Sequence, residues 1–258
     1  MAYAAALGDL PLSLYALCDI VPSKAVELRE SAGSSWSAHG TFADSPPFVL
    51  ALEDLVAECD YILECASSDA VKDVVAAGTA ACVETDRPRT AVIMSVGGLA
   101  QISNDELRYA EVGGLRIAVP SGAIGGLDAI LAMRESGVFC ATLTTTKPPK
   151  SLGRSDKEAA VVFEGSASEA IKAFPKNINV AMTLFLALGS NVPLTVKIVS
   201  DPAVLVNTHQ VEVEGGAGKV TITLENEPHP EVPRTSLLAA KSAIATLRKL
   251  AAGFVTGT

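Results

Sequence analysis

A chain of 258 residues is long enough for one large domain or two smaller ones, each with its own apolar core. Its formal net charge of −9, without a cluster of lysine and arginine, argues against a nucleic-acid partner. No apolar run is long enough to span a membrane and the N-terminus lacks a basic leader, so we expect a cytoplasmic protein. The five cysteines are scattered without a CxxC pair, which predicts a reducing compartment and no metal site.

The first 120 residues alternate short apolar runs with helical patterns. Continuous apolar strands separated by helices are typical of a parallel sheet covered on both faces, as in doubly wound nucleotide-binding domains. The predicted strands cover 12–20, 61–66, 90–100 and 115–120, and the predicted helices between them cover 22–33, 67–80 and 103–114.

The start of the chain departs from the usual dinucleotide-binding pattern of strand, GxGxxG turn, helix and a second strand that ends in an acid. Asp19 ends the first recognisable strand, and the stretch AYAAALGDLP before it is typical of the tail of a helix. We therefore expect a Rossmann-type domain without its first strand and glycine turn. Asp19 either accepts hydrogen bonds from the adenosine ribose or caps the helix that begins near Pro22, and the spacing leaves both roles open.

After Pro120 the pattern changes to strands with period-two alternation, mixed with helices. This change predicts a smaller α+β domain with a mainly antiparallel sheet, in which EGGAG (214–218) forms a hairpin turn. The predicted strands lie in VFCATLTTTKPPK, AVVFEGS, LTVKIVSDP, THQVEVEG and KVTITLE, and the predicted helices in 121–137, 175–190 and 235–253.

The stretch VNTHQVEVEGG, residues 206–216, has a histidine near the start of an alternating strand. This histidine lies on the apolar face of the predicted strand. Counting by twos, His209 shares that face with Val211 and Val213, while polar residues point the other way. A single histidine in such a position is more often a core residue than a catalytic acid or base. The residues alone therefore leave both interpretations of His209 open.

Seven stretches carry more specific information. Three of them are specific in combination, since no generic nucleotide-binding protein needs all three: SGAIGGLDA, FPKNINVA, and the Asp-Pro pair with the later Asn-x-His of DPAVLVNTH. The stretches are LECA (63–66), SVGGL (95–99), PSGAIGGLDAI (120–130), TKPP (146–149), FEGSASEAIKAFPKNINVA (163–181), DPAVLVNTH (201–209) and ENEPHPEVPRTS (225–236). Together they resemble the L-aspartate dehydrogenases, which are NAD(P)-dependent amino-acid dehydrogenases. The N-terminus departs from that family, which carries the first strand and the GxGxxG turn.

The resemblance implies oxidation of L-aspartate to iminoaspartate by hydride transfer to NAD or NADP. Iminoaspartate is then hydrolysed to oxaloacetate and ammonia or used in NAD biosynthesis. The resemblance places the family's catalytic histidine on His209, whose side chain suits proton transfer near neutral pH. It places cofactor contacts on Ala123 and Asn179. A tight turn for Ala123 and helix capping for Asn179 are the alternatives that the residues leave open.

Aspartate carries two carboxylates, which need cations or helix N-termini. Lys147 in TKPP and Lys176 in FPKN are the candidates, although a surface lysine is the alternative for each. Asp19 favours NAD, whereas Ser23 and Lys24 would tolerate the 2′-phosphate of NADP, so the choice between the two cofactors stays open.

We therefore expect an α/β enzyme with a Rossmann-type domain over residues 1–119 and a catalytic α+β domain over residues 120–235. The helix within 236–258 is expected to complete the first domain, and the active site to lie in the cleft between the domains. Edge strands in the second domain predict a homo-oligomer. Two alternatives stay open: a non-catalytic or truncated homologue, and a related reductase that acts on another small dicarboxylate or imine.

Overall fold

A computed structural model describes residues 12–32, 46–174, 178–232 and 235–256. The chain divides into two compact units. The first contains Met1–Pro120 and Ala243–Val255, and the second contains Ser121–Ser242 and the last residues of the chain. Within the described residues, no helix is long and apolar enough to cross a membrane.

The described strands of the first unit pair only in parallel, which confirms the prediction of a Rossmann-type sheet. They form two separate sheets, β1–β2 and β3–β4–β5. By their pairing and chain order, β1 to β5 correspond to strands 2 to 6 of the strand order 3-2-1-4-5-6. No strand among the described residues corresponds to strand 1. The elements are β1 (Ala16–Leu17), α1 (Pro22–Ala32), β2 (Phe48–Val49), α2 (Leu52–Glu58), β3 (Tyr61–Glu64), α3 (Val71–Thr85), β4 (Arg89–Ile93), α4 (Asn104–Val112) and β5 (Leu115–Ala118).

Several boundaries in this unit differ from the sequence prediction. The apolar run at 12–20 gives only the two strand residues of β1, and β2 and α2 were not predicted. The strand predicted within 90–100, with a glycine turn at its end, stops at Ile93, and the two glycines of the predicted turn lie in a 3-10 helix, Val96–Gln101. This helix packs closely on the loop after β3, since a Cβ on Gly98 would clash with the Ser68 carbonyl oxygen. The stretch AYAAALGDLP lies outside the described residues.

A buried arginine joins two helices of the first unit to the central strand β4. The side chain of Arg89 is 2% exposed. Its guanidinium donates to the carbonyl of Ala57 at the end of α2, and to the carbonyl of Ala81 and the hydroxyl of Thr85 at the end of α3. Because the C-terminus of a helix carries partial negative charge, these acceptors stabilise the buried cation.

The second unit contains a five-stranded sheet in the order β10-β9-β6-β8-β7. Only β6 and β8 pair in parallel, which confirms the prediction of a mainly antiparallel sheet. The predicted hairpin joins β9 to β10, with Gly215 opposite Gly218. The elements are α5 (Leu127–Arg134), β6 (Val138–Lys147), β7 (Ala160–Ser166), α6 (Ala167–Ala173), α7 (Asn179–Leu188), β8 (Leu194–Ser200), β9 (Asn207–Gly215) and β10 (Gly218–Asn226). The last helix, α8 (Leu237–Ala251), begins in this unit, and from Ala243 onward it belongs to the first unit.

One face of this sheet, called the inner face below, packs against α5, α6 and α7. Sheet residues such as Leu143, Val196 and Val211 form a single apolar cluster with residues of the helices. Helix α6 was not predicted, although its start carries a capping box between Ser166 and Glu169. The S-x-x-E spacing that produces this box is visible in the sequence and signals a helix start.

Candidate functional site

The inner face of the five-stranded sheet becomes polar at one end. Strands β6 and β8 end there, β9 begins there and β10 ends there, because β6 and β8 are parallel to each other and β9 is antiparallel to β6. Thr145, Ser200, His209 and Asn226 are buried at this end, and Lys147 is half-buried. We call these five residues the polar end. Buried polar groups cost stability unless they are bonded or used, so the polar end is a candidate site.

His209 lies on the inner face of β9, as the alternation predicts, and is 5% exposed. Its ring atom Nδ1 is 3.0 Å from Oγ1 of Thr145, the residue directly opposite on β6. Burial, together with the positive charge of Lys147, lowers the pKa of His209 to about 4. The imidazole is therefore neutral at neutral pH, and Nε2 is the ring nitrogen not used by Thr145.

Lys147 is the last residue of β6 and shares its face with Thr145. Burial lowers the pKa of its ammonium group. Within the described ranges no carboxylate forms an ion pair with Lys147, whereas nearby in sequence Arg154 is already paired with Asp156 at 2.6 Å. A half-buried cation without a protein counterion is suited to an anionic ligand.

The loop that carries Ala123 is held against the same end of the sheet. The side-chain amide of Asn226 donates to the Ala123 carbonyl at 2.8 Å, and Asn226 lies two residues beyond Leu224, the partner of His209 on β10. The backbone amide of Gly122 donates to the Ser242 hydroxyl at 3.0 Å. Sequence reasoning missed Asn226, although period-two counting along β10 places it on the inner face.

Asn179 is the first residue of α7 and is exposed. The N-cap residue is Ile178, which makes no side-chain cap bond. The last turn of α7 accepts a hydrogen bond from Arg134 at the Ala187 carbonyl, close to where β6 begins. The C-terminal end of α7 therefore lies near the start of β6, and Asn179 lies at the other end of the helix. The other candidate of the same motif, Lys176, lies outside the described residues.

Asp19 belongs to the first unit and is half-buried. One carboxylate oxygen accepts a hydrogen bond from the backbone amide of Val21 at 2.8 Å, just before α1 begins at Pro22. The bond closes a local turn between Asp19 and the residue two positions later. Both roles of Asp19, ribose binding and helix capping, stay predictions.

Glu64 was not identified as a site residue, although it lies in the LECA motif. It is 3% exposed at the end of β3. Its carboxylate accepts from the backbone amides of Ala66, Ser67 and Ser95 and from the Ser95 hydroxyl. These bonds tie the loop after β3 to the loop after β4. The carboxyl ends of parallel strands are where open α/β sheets bind ligands, so Glu64 orders a ligand-binding edge.

Comparisons with known proteins show to which family the chain is similar. Residues 128–250 match the family described as "Aspartate dehydrogenase, C-terminal". An L-aspartate dehydrogenase from Methanosarcina mazei is 37% identical over 94% of this chain and 89% of its own length. Another from Methanopyrus kandleri is 43% identical over 78% of this chain and 75% of its own length.

Solved structures show the same likeness. The crystal structure of aspartate dehydrogenase from Thermotoga maritima is 30% identical, has a TM-score of 0.71, and is matched over 95% of this chain and 99% of its own. A homoserine dehydrogenase from Thiobacillus denitrificans, 11% identical with a TM-score of 0.52, shares the fold alone. From these relatives, the chain belongs to the L-aspartate dehydrogenase family.

Proposed function

We propose that this protein catalyses the NAD(P)-dependent oxidative deamination of L-aspartate to oxaloacetate and ammonia. The observation that carries the proposal is the buried ring of His209, with Nδ1 3.0 Å from Oγ1 of Thr145, at the same end of the sheet as Lys147, for which no carboxylate among the described residues forms an ion pair. We assign dinucleotide binding to the first unit and the chemistry on aspartate to the second.

His209 is the proposed proton acceptor. The α-ammonium group of aspartate must lose a proton before a hydride can leave Cα, because the nitrogen lone pair forms the imine bond. Nε2 of His209 accepts this proton and releases it to solvent. The neutral imidazole then accepts a proton from the water that attacks the imine carbon, and returns that proton to the departing nitrogen. The nicotinamide, when bound, supplies the hydride acceptor. The net reaction consumes aspartate, NAD(P)⁺ and water, and yields oxaloacetate, ammonium, NAD(P)H and a proton.

Lys147 is the proposed partner of a substrate carboxylate. In the free protein its charge helps to lower the pKa of His209 to about 4. A carboxylate bound to Lys147 offsets that charge and raises the pKa of His209. Binding of the anionic substrate therefore makes the imidazole a stronger base when a proton must be taken up.

One feature of each unit supports dinucleotide binding. In the first unit, Glu64 orders the loops at the carboxyl edge of the parallel sheet. In the second unit, an added Cβ on Gly122 would meet nothing within 4 Å, which leaves open space beside the backbone of Ala123. We propose contacts to the cofactor from Ala123 and Asn179. Asp19 is proposed to bind the adenosine ribose and to favour NAD over NADP.

Three further features belong to the proposal. Lys176, together with Lys147, binds the substrate carboxylates. The protein acts in the cytoplasm as a homo-oligomer. Part of its iminoaspartate serves NAD biosynthesis.

The experiment is a substrate panel on the purified protein, with both cofactors. NAD(P)H formation is followed with L-aspartate, D-aspartate, L-glutamate and L-asparagine, and oxaloacetate and ammonia are measured at the end. Of the four amino acids, we expect only L-aspartate to be turned over substantially, and we expect NAD(P)H and ammonia to form in equal amounts. Faster turnover of another compound in the panel, or NAD(P)H without ammonia, would contradict the proposal.

A further inference from the structure

Thr145 faces His209 across the antiparallel pair of β6 and β9, with Oγ1 3.0 Å from Nδ1. The two side chains are 8% and 5% exposed, so water does not compete freely for this contact. On the other side of His209, β10 contributes Leu224, which is apolar. Lys147 is the one charged group, among the described residues, whose charge shifts the pKa of His209. The hydroxyl of Thr145 is thus the polar contact that distinguishes the two ring nitrogens.

A neutral imidazole carries one proton, on either Nδ1 or Nε2. If Nδ1 carries it, Nδ1–H donates to Oγ1 of Thr145 and Nε2 keeps a free lone pair. If Nε2 carries it, the Thr145 hydroxyl donates to Nδ1, and Nε2 cannot accept a proton from substrate. Only the first arrangement allows His209 to act as a base.

We propose that Thr145 is a positioning residue that holds His209 in the Nδ1–H tautomer and leaves Nε2 as the proton acceptor. This inference rests on the proposed function, in which His209 takes the substrate proton. Threonine suits the role because its branched side chain has few rotamers on a strand, so Oγ1 is held in place. The Nδ1–H to Oγ1 bond also strengthens when the ring becomes charged, which stabilises the imidazolium formed during turnover.

The tautomer is read directly by NMR of protein labelled with ¹⁵N-histidine, at neutral pH and without substrate. The chain has only three histidines, so His209→Asn and His229→Asn assign the signals. We expect Nδ1–H in the wild type and in Thr145→Ser, which keeps the hydroxyl. In Thr145→Val, which has a similar shape without a hydroxyl, we expect loss of that preference. An Nε2–H tautomer in the wild type, or an unchanged tautomer in Thr145→Val, overturns the proposal.

Kinetics supply the second measurement. Thr145→Val should lower kcat roughly 10- to 100-fold, the scale typical of residues that orient a catalytic group, while Thr145→Ser stays near the wild type. The acid limb of the kcat profile should move to lower pH in Thr145→Val, because the imidazolium loses its acceptor. A purely structural role would lower Tm and leave the pH profile of the folded protein unchanged, and that result overturns the proposal. If Thr145→Val does not fold, the wild-type tautomer still decides. Normal turnover in His209→Asn would instead contradict the proposed function.

Discussion

The inner face of the five-stranded sheet has an apolar end and a polar end, although β6, β8 and β9 run through both. At the apolar end, Ala141, Leu194 and Val213 pack into the cluster with the helices. At the polar end, the inward positions of the same strands hold His209, Thr145 and other polar residues that are equally buried. Burial of polar groups costs stability, whereas burial of apolar groups supplies it. One alternating pattern of inward residues can therefore build an apolar core at one end of a sheet and a candidate active site at the other.

Among single substitutions, we expect the greatest loss of activity from one at the polar end. In His209→Asn we expect kcat for L-aspartate oxidation to fall by roughly 10²- to 10⁴-fold, the usual contribution of a general acid–base group. The asparagine keeps a polar atom near Thr145, so Tm should change little. Steady-state kinetics and thermal unfolding of the same preparation check both expectations. Near-normal turnover would return His209 to the role of a core histidine.

At Leu143, two residues before Thr145 on the same face of β6, we expect a substitution to lower stability and to leave turnover unchanged. Leu143 is 1% exposed in the apolar cluster. Leu143→Ala should lower the free energy of unfolding by about 2–5 kcal/mol, because it removes buried methyl groups and leaves a cavity. Turnover per folded molecule should stay close to the wild type. Denaturant titration measures the free energy of unfolding, and kcat is corrected for the folded fraction. A kcat loss in Leu143→Ala as large as that in His209→Asn would contradict the proposed difference between the apolar end and the polar end.

A third change acts on substrate binding. Lys147→Gln should raise KM for L-aspartate by roughly 10- to 100-fold, as expected for the loss of one charge-assisted bond. It should also move the acid limb of kcat/KM to higher pH, because Lys147 lowers the pKa of His209 in the free protein. Lys150→Gln, three residues later and exposed, is the matched control and should change neither value. A similar KM change in the control would remove Lys147 from the site.

Sequence periodicity predicted which face of β9 His209 occupies, and the run of alternating strands predicted the mainly antiparallel sheet. It did not predict which strands are neighbours, so the contact between Thr145 and His209, which are 64 residues apart, was missed. The lowered pKa of Lys147 was missed for the same reason, since burial depends on packing. Glu64 was missed because an acid at the end of an apolar strand has the same local pattern whether it is exposed or bonded to two loops.

A smaller effect is expected at the loop that carries Ala123. Asn226→Ala removes the hydrogen bond to the Ala123 carbonyl. We expect a loss of about 1 kcal/mol in the free energy of unfolding, and a cofactor Kd raised several-fold because the loop is less restrained. Denaturant titration and NADH fluorescence titration measure the two. An unchanged cofactor Kd would leave Asn226 with a purely structural role.

A minor effect is expected at His229, which with His209 is one of two buried histidines among the described residues. His229 is 9% exposed, and its Nδ1 accepts hydrogen bonds from the backbone amides of Glu231 and Val232 at 3.2 and 3.3 Å. An imidazole whose acceptor nitrogen already holds two backbone donors is a structural residue, in contrast to His209. In His229→Asn the amide oxygen can replace Nδ1 as acceptor, so the free energy of unfolding should fall by only about 0.5–1 kcal/mol. Both variants replace a histidine with an asparagine. A difference in kcat between His229→Asn and His209→Asn therefore reports the position of the histidine and not the type of substitution. A kcat loss in His229→Asn as large as in His209→Asn would show that burial of a histidine, and not its place at the polar end, decides the outcome.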